Sequence, residues 1–98
     1  MSELGPVILP DCREEDYVAL RGKLNDPGNL GATWQDFRNT LDLSEQGAWD
    51  EGRVVQRIYI DPEAFARWCD ANSRTPNCAG VYRFARVIAG ERHSKERD

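Results

Sequence analysis

The sequence of 98 residues has few of the side chains from which catalytic and metal sites are built. It contains no Cys-x-x-Cys, His-Glu-x-x-His or Gly-x-Ser-x-Gly motif. Its three cysteines and one histidine, Cys12, Cys69, Cys78 and His93, match no closed zinc spacing. A chain this short also has little mass from which to build a pocket. These absences predict a protein that has no catalytic site, no metal and no cofactor.

Long apolar runs are also absent. The first residues lack a basic segment, and their longest apolar run is Val7–Leu9, which ends at Pro10. A secretory signal and a membrane span both need a longer run. Three cysteines outside any dense disulfide framework are expected to be free thiols in a reducing compartment. The sequence therefore predicts a cytoplasmic protein that does not enter a membrane.

Lysine is scarce, because 11 of the 13 basic residues are arginine, and the charge is unevenly distributed along the chain. Residues 1–52 contain 11 acids and 4 bases, a balance of −7, whereas residues 53–98 contain 6 acids and 9 bases, a balance of +3. The sum is the net charge of −4. Two interpretations are open: the halves neutralise each other where they pack, or the charged surfaces face partners.

Periodic apolar residues predict four helices. The helices are expected to start at four capping residues: Asp11, Thr33, Asp61 and Asn77. Between the first two helices, the Asp-Pro-Gly-Asn sequence of residues 26–29 predicts a type II turn. Residues 43–52 are expected to form a polar connector, and Gly90 to end the fourth helix.

Residues 53–60 are the clearest strand, because they are rich in β-branched and aromatic side chains. A short strand at Val7–Leu9 is expected to pair with it in a minimal antiparallel sheet. The third and fourth helices should form a C-terminal hairpin that packs on this sheet through four side chains: Phe65, Trp68, Phe84 and Ile88. The predicted fold is a small, mainly helical α+β domain over residues 1–90, followed by a charged, flexible tail over residues 91–98.

Trp49 is a candidate for a functional contact, because it lies between two polar, glycine-containing segments. Aromatic side chains in loops frequently anchor protein contacts, although covering a small core is the alternative. With nearby acids it defines a candidate protein-binding surface: Asp36, Asp42, Trp49, Asp50 and Glu51. The leading hypothesis is a non-enzymatic binding module, a regulator or inhibitor, that covers the basic surface of another protein. The edge of strand 53–60 is a further candidate contact, between two copies in a homodimer.

The C-terminal hairpin supports an alternative hypothesis. Its outline is that of a helix-turn-helix, whose second helix would enter the major groove of DNA. Arg83 and Arg86 are predicted to point away from the apolar side of this helix, and Arg92 extends the basic run. Against this, the first turn, residues 77–80 (Asn-Cys-Ala-Gly), offers little that reads base edges. The alternative function is therefore a nucleic-acid-binding accessory protein.

Overall fold

The computed structural model describes residues 6–96, with side chains described through Glu91. Over this range the chain forms two strands and four α-helices, in the order β1 (Val7–Asp11), α1 (Glu14–Gly22), α2 (Trp34–Asp50), β2 (Val55–Tyr59), α3 (Pro62–Ala71) and α4 (Cys78–Glu96). A 3₁₀ turn, Pro27–Asn29, lies between α1 and α2. The predicted α+β class and the four helices are confirmed.

The two strands pair in parallel, so the prediction of an antiparallel sheet is wrong. Val7 lies opposite Val55, and the pairing continues to the end of both strands. Parallel strands cannot be joined by a tight hairpin and need a crossover connection, which α1 and α2 supply here. The expected short first strand is present and extends to Asp11, whereas β2 is shorter than the predicted strand 53–60.

The strands lie between helices on both faces, as parallel strands usually do. Alternation along each strand places Leu9, Asp11 and Arg57 on one face, and Arg57 contacts α2 from there. Ile58 points to the opposite face and is fully buried, and α4 packs against both strands. Every element contributes to one core, which includes Leu9, Tyr17, Leu20, Phe37, Leu41, Ile58, Phe65, Val81 and Phe84.

The helices α3 and α4 form the predicted C-terminal hairpin, and aromatic rings join them. The ring centroid of Phe84 lies 5.8 Å from that of Phe65 and 5.2 Å from that of Trp68. The start of α3 follows the expected pattern, because the Asp61 side chain accepts a hydrogen bond from the backbone N–H of Glu63. The hairpin is therefore fixed by packing and by local capping together.

Two expected features before α2 are wrong. Asp11 is the last residue of β1 and not a helix cap, and α1 begins after Arg13. The segment 26–29 is not a type II turn but contains the 3₁₀ turn, and Gly28 does not adopt a positive φ. Tertiary contacts replace the local signal in both places: Asp11 pairs with Tyr59 in the sheet, and the Asp26 side chain accepts a hydrogen bond from the start of α4.

Two helices are longer than predicted. The expected connector over residues 43–52 is helical as far as Asp50, because its Leu, Glu, Gln and Ala residues favour a helix and Ala48 is buried in the core. Gly52, with φ of 77°, follows the end of this helix. The helix α4 continues past Gly90 to Glu96, so residues 91–96 of the predicted tail have helical backbone. The flexibility of the tail stays a prediction, and residues 97–98 lie outside the described range.

Three long-range hydrogen bonds connect the segment after α1 to the start of α4, one of them from the Cys78 thiol to the carbonyl of Asp26. Asp26 Oδ1 accepts a bond of 2.9 Å from the backbone N–H of Cys78, and the N–H of Asn25 donates to the carbonyl of Pro76 at 3.0 Å. The first N–H groups of a helix have no partner within the helix, so a carboxylate is well suited to this position. The bond from Cys78 is the largest cause that lowers the pKa of Asp26.

We expect Asp26→Ala to lower the urea midpoint of unfolding at neutral pH. Because the pKa of Asp26 is lower in the folded state, its charge stabilises the fold above its ordinary pKa of 3.8, and this contribution is lost as pH falls through the folded value. The difference between parent and variant should therefore shrink on acidification, measured down to the lowest pH at which both proteins fold. The control Asp26→Asn keeps an acceptor oxygen without the charge and should lose less stability. If the difference in stability between parent and variant does not change with pH, the charge of Asp26 does not stabilise the fold.

Candidate protein-binding face

The predicted acidic residues all lie on α2 or directly after it. The helix begins where the Thr33 hydroxyl accepts a hydrogen bond of 3.1 Å from the backbone N–H of Asp36. Phe37, Leu41 and Ala48 are buried at helical spacing, so one side of the helix faces the core. The outward face of α2 is formed by exposed side chains: Asp36, Asn39, Asp42, Leu43, Gln46, Trp49 and Asp50, with Glu51 next in the chain.

Trp49 lies in the last turn of α2 and not in a loop, so the expected position of this residue is wrong. Its side chain is nevertheless 56% exposed. A residue that contacts a partner must be exposed in this way. It follows Asp42 by seven residues, which places the two on the same side of the helix two turns apart. A large aromatic side chain is thus held on a regular helix, on the same side as the Asp42 carboxylate.

Leu43 is a member of this face that sequence reasoning missed. It is 75% exposed and, with Asn39, Asp42 and Gln46, borders a shallow depression of about 410 Å³. Helical spacing could have predicted its exposure. If the helix is extended through residues 43–50, Leu43 does not lie on the apolar side that Phe37 and Leu41 define. Leu43 was missed because residues 43–52 were predicted to be a connector and not a helix.

Arg57 on β2 connects this face to the sheet. Its Nη2 donates hydrogen bonds of 2.8 Å to Asp42 Oδ1 and 2.6 Å to Glu45 Oε1, and its Nη1 lies 3.6 Å from Asp11 Oδ2. The Arg57 side chain is 22% exposed, so these contacts are partly shielded from water. Burial opposes the charge on Arg57, but the hydrogen bonds to both carboxylates outweigh it and raise the pKa. Asp42 is thus an exposed acid in a fixed position.

The one base within α2, Arg38, is directed away from the outward face. Its Nη1 donates to Asp11 Oδ1 at 3.4 Å, and its guanidinium lies 5.2 Å from the centre of the Trp34 ring. Trp34 in turn donates from Nε1 to the carbonyl of Cys12 at 2.8 Å. These contacts hold Arg38 at the end of β1, and the charges of the outward face are consequently all negative.

Several described arginines of the C-terminal hairpin have no acidic partner. Four exposed arginines make no ion pair with any described side chain: Arg67, Arg74, Arg83 and Arg86. Arg83 and Arg86 lie on the exposed side of α4, as predicted, whereas the side chain of Arg92 lies outside the described part of the chain. Arg57 of the second half pairs with Asp11, Asp42 and Glu45 of the acidic half, so part of the charge asymmetry is neutralised within the fold. That the remaining charged surfaces face partners stays a prediction.

The three cysteines are free and buried. Burial raises the pKa of the Cys12 thiol to about 12 and that of Cys78 to about 11, and it also raises the pKa of Cys69. All three are thus protonated at neutral pH and are poor nucleophiles. Among the described residues, no group of three or more His, Cys, Asp or Glu side chains could hold a metal ion. The side chain of His93 lies outside this range.

The predicted homodimer concerns the edge of β2 that faces away from β1. In the described residues the sheet has two strands, so no third strand covers this edge. Pairing between two copies stays a prediction.

Comparison of the chain with protein-family models, with curated proteins and with solved structures yields no match. None of the helices within residues 6–96 combines the length and the apolar character needed to cross a bilayer. Function is therefore inferred from the side chains of this chain alone.

We expect Arg57→Met to lower the free energy of unfolding by about 2–3 kcal/mol, because Asp11 and Glu45 would lose a charged partner in a partly buried site. The double variant Arg57→Met/Glu45→Gln should recover part of this loss, since it also removes the charge of Glu45, whose described basic partner is Arg57. Urea unfolding of the four proteins of this cycle measures the coupling. The control Arg67→Met removes an exposed arginine and should change stability by less than about 0.5 kcal/mol. Equal effects of the two Met substitutions would refute the role of Arg57.

Proposed function

We propose that this protein is a small, non-enzymatic binding module that regulates or inhibits another protein by covering its basic surface. The observation that carries the proposal is the composition of the outward face of α2. It exposes Leu43 and Trp49 among carboxylates, while the base of the same helix, Arg38, is held at the end of β1. Exposed apolar side chains surrounded by charge of one sign are typical of surfaces that bind an oppositely charged partner.

The two kinds of side chain have separate roles in this proposal. The carboxylates attract a basic partner over a distance of about 8 Å at physiological salt and raise the rate of encounter. Leu43 and Trp49 then provide apolar contact area, and aromatic residues commonly dominate the energy of such contacts. Arg57 holds Asp42 in place, which reduces the entropy lost on binding. We also propose that the protein acts in the cytoplasm, which its free thiols support.

A photo-reactive benzoylphenylalanine in place of Leu43 tests the proposal directly. We expect it to cross-link one partner in a cytoplasmic extract, and mass spectrometry should locate the cross-link in a partner segment with an excess of Lys and Arg. The matched control places the same group at Ala79, which is exposed on α4. Cross-linking should be specific to position 43 and should weaken as salt is raised.

Charge variants complete this test. Asp36→Lys/Asp50→Lys should reduce the cross-linking yield about tenfold or more, because two attractive charges on α2 become repulsive. Glu63→Lys/Asp70→Lys makes the same change in net charge on exposed positions of α3 and should leave the yield unchanged. The proposal fails if both pairs of substitutions act equally, if the partner segment is not basic, or if position 79 captures the same protein.

A second candidate function is nucleic-acid binding through α4. The observation that favours it is that Arg83 and Arg86 are exposed and make no ion pair with the described side chains. Arginines without acidic neighbours are available to contact phosphates, and Arg74 and Arg83 border a further depression of about 410 Å³ at the start of this helix.

This second candidate predicts retention of random duplex DNA at low salt, with an affinity that falls steeply as salt increases. Arg83→Ala/Arg86→Ala should reduce the slope of log K against log salt by about 2, since each phosphate contact contributes about 1. Arg13→Ala/Lys23→Ala removes two exposed bases from the acidic half and should leave the slope unchanged. Fluorescence anisotropy measures both slopes. Absence of retention at low salt removes this candidate.

A further inference from the structure

A groove beside α1 has the form of a small-molecule site. It runs along α1, and the segment from Pro27 to the start of α2 forms its opposite wall. Its volume is about 530 Å³, within the range of about 300–1,000 Å³ usual for ligand pockets. The lining is mainly apolar and includes Tyr17, Val18, Leu24, Pro27, Ala32 and Trp34.

Hydrogen bonds hold the walls of this groove together. The carbonyl of Gly31 accepts from Tyr17 Oη at 2.6 Å and from Arg21 Nε at 2.9 Å. Gly31 has φ of 118°, and a Cβ there would lie 3.2 Å from the backbone N of Phe37, so this close approach requires glycine. Trp34 is fixed by its bond to Cys12. The groove is therefore formed before any ligand binds.

Arg21 supplies a charged group to this groove. Its Nε is used by the bond to Gly31, but its two terminal nitrogens donate to no described residue and form no ion pair there. A guanidinium of this kind offers two parallel N–H groups, which match the two oxygens of a carboxylate. The remaining polar wall includes Glu14, seven residues earlier on α1 and thus roughly 10 Å away along the helix axis.

We propose that this groove binds a small apolar monocarboxylate. The carboxylate contacts the terminal nitrogens of Arg21, and the apolar body lies against Val18, Tyr17 and Trp34. A single arginine balances a single negative charge, and the carboxylate of Glu14 at the other end of the groove disfavours ligands with more negative charge, such as phosphate esters. The side chains that line this site are not those of the outward face of α2, and the proposal does not depend on the function proposed for that face.

The test uses 4-phenylbutyrate and its uncharged amide as probes, with two-dimensional NMR of the full chain. We expect saturable shifts of the Trp34 indole N–H and of the Arg21 and Ala32 amides, with an affinity in the low-millimolar range or better. The amide should bind about tenfold more weakly, because it cannot form the charged contact. Glu14→Gln should strengthen binding of the acid about two- to threefold by removing a like charge. Equal affinity for acid and amide would overturn the assignment of Arg21.

Two further substitutions test the site without relying on Arg21 alone. Arg21→Gln should weaken the acid about tenfold, but it also removes the bond to Gly31. Val18→Glu does not share this drawback, because Val18 is 78% exposed, and it adds a negative charge at the groove that should reduce binding by a similar factor. Ala19→Glu adds the same charge at an exposed neighbouring position outside the groove and should leave binding unchanged. Unaltered binding to Val18→Glu, or no saturable shift in the parent protein, would refute the proposal.

Discussion

The contacts of Arg57 are the interaction on which the arrangement of the chain depends. A parallel sheet of two strands is too small to be stable without helices on its faces, and the face toward α2 carries the charged pair Asp11 and Arg57. Charges at such a position are costly unless they are paired and hydrogen bonded. Arg57 meets this requirement by contacting β1 through Asp11 and α2 through Asp42 and Glu45, so one guanidinium joins three elements.

This use of Arg57 determines how charge is distributed over the surface. The acidic first half contains too many carboxylates for one arginine to neutralise, and Arg38 is engaged with Asp11. The acids of α2 consequently remain in excess on one side of the molecule. The four exposed arginines of the C-terminal hairpin, of which Arg74 lies between α3 and α4, have no acidic partners among the described side chains. The protein is therefore dipolar even though its net charge is only −4.

Much of the fold could be predicted from patterns that act locally. The cap at Thr33, the Asp61–Pro62 start of α3 and the apolar sides of the helices are short-range signals, and the structure contains all of them. The direction of strand pairing is not a local property, because it depends on how α1 and α2 return the chain to the sheet. The helical state of residues 43–50 was missed because two glycine-containing polar stretches resemble a loop, although burial of Ala48 favours the helix.

The candidate site was likewise predictable only where it depends on local patterns. Exposure of the acids and of Trp49 follows from composition and spacing, but the contacts of Asp42 with Arg57 join residues 15 apart across different elements and have no signature in the sequence. The groove along α1 was missed for a related reason. It depends on the convergence of Tyr17 and Arg21 on one carbonyl, that of Gly31, and neither turn nor helix patterns encode this convergence.

A series of contacts connects the groove to the outward face of α2, which bears on whether the two sites communicate. Trp34 lines the groove, and Arg38, stacked on its ring, connects it to Asp11 and thus to the network of Arg57. A ligand changes binding elsewhere only if it favours one of two arrangements of such a connection. The proposed ligand lies against the Trp34 ring and leaves the bond from Trp34 to Cys12 and that from Arg38 to Asp11 in place. We therefore expect the two sites to act independently.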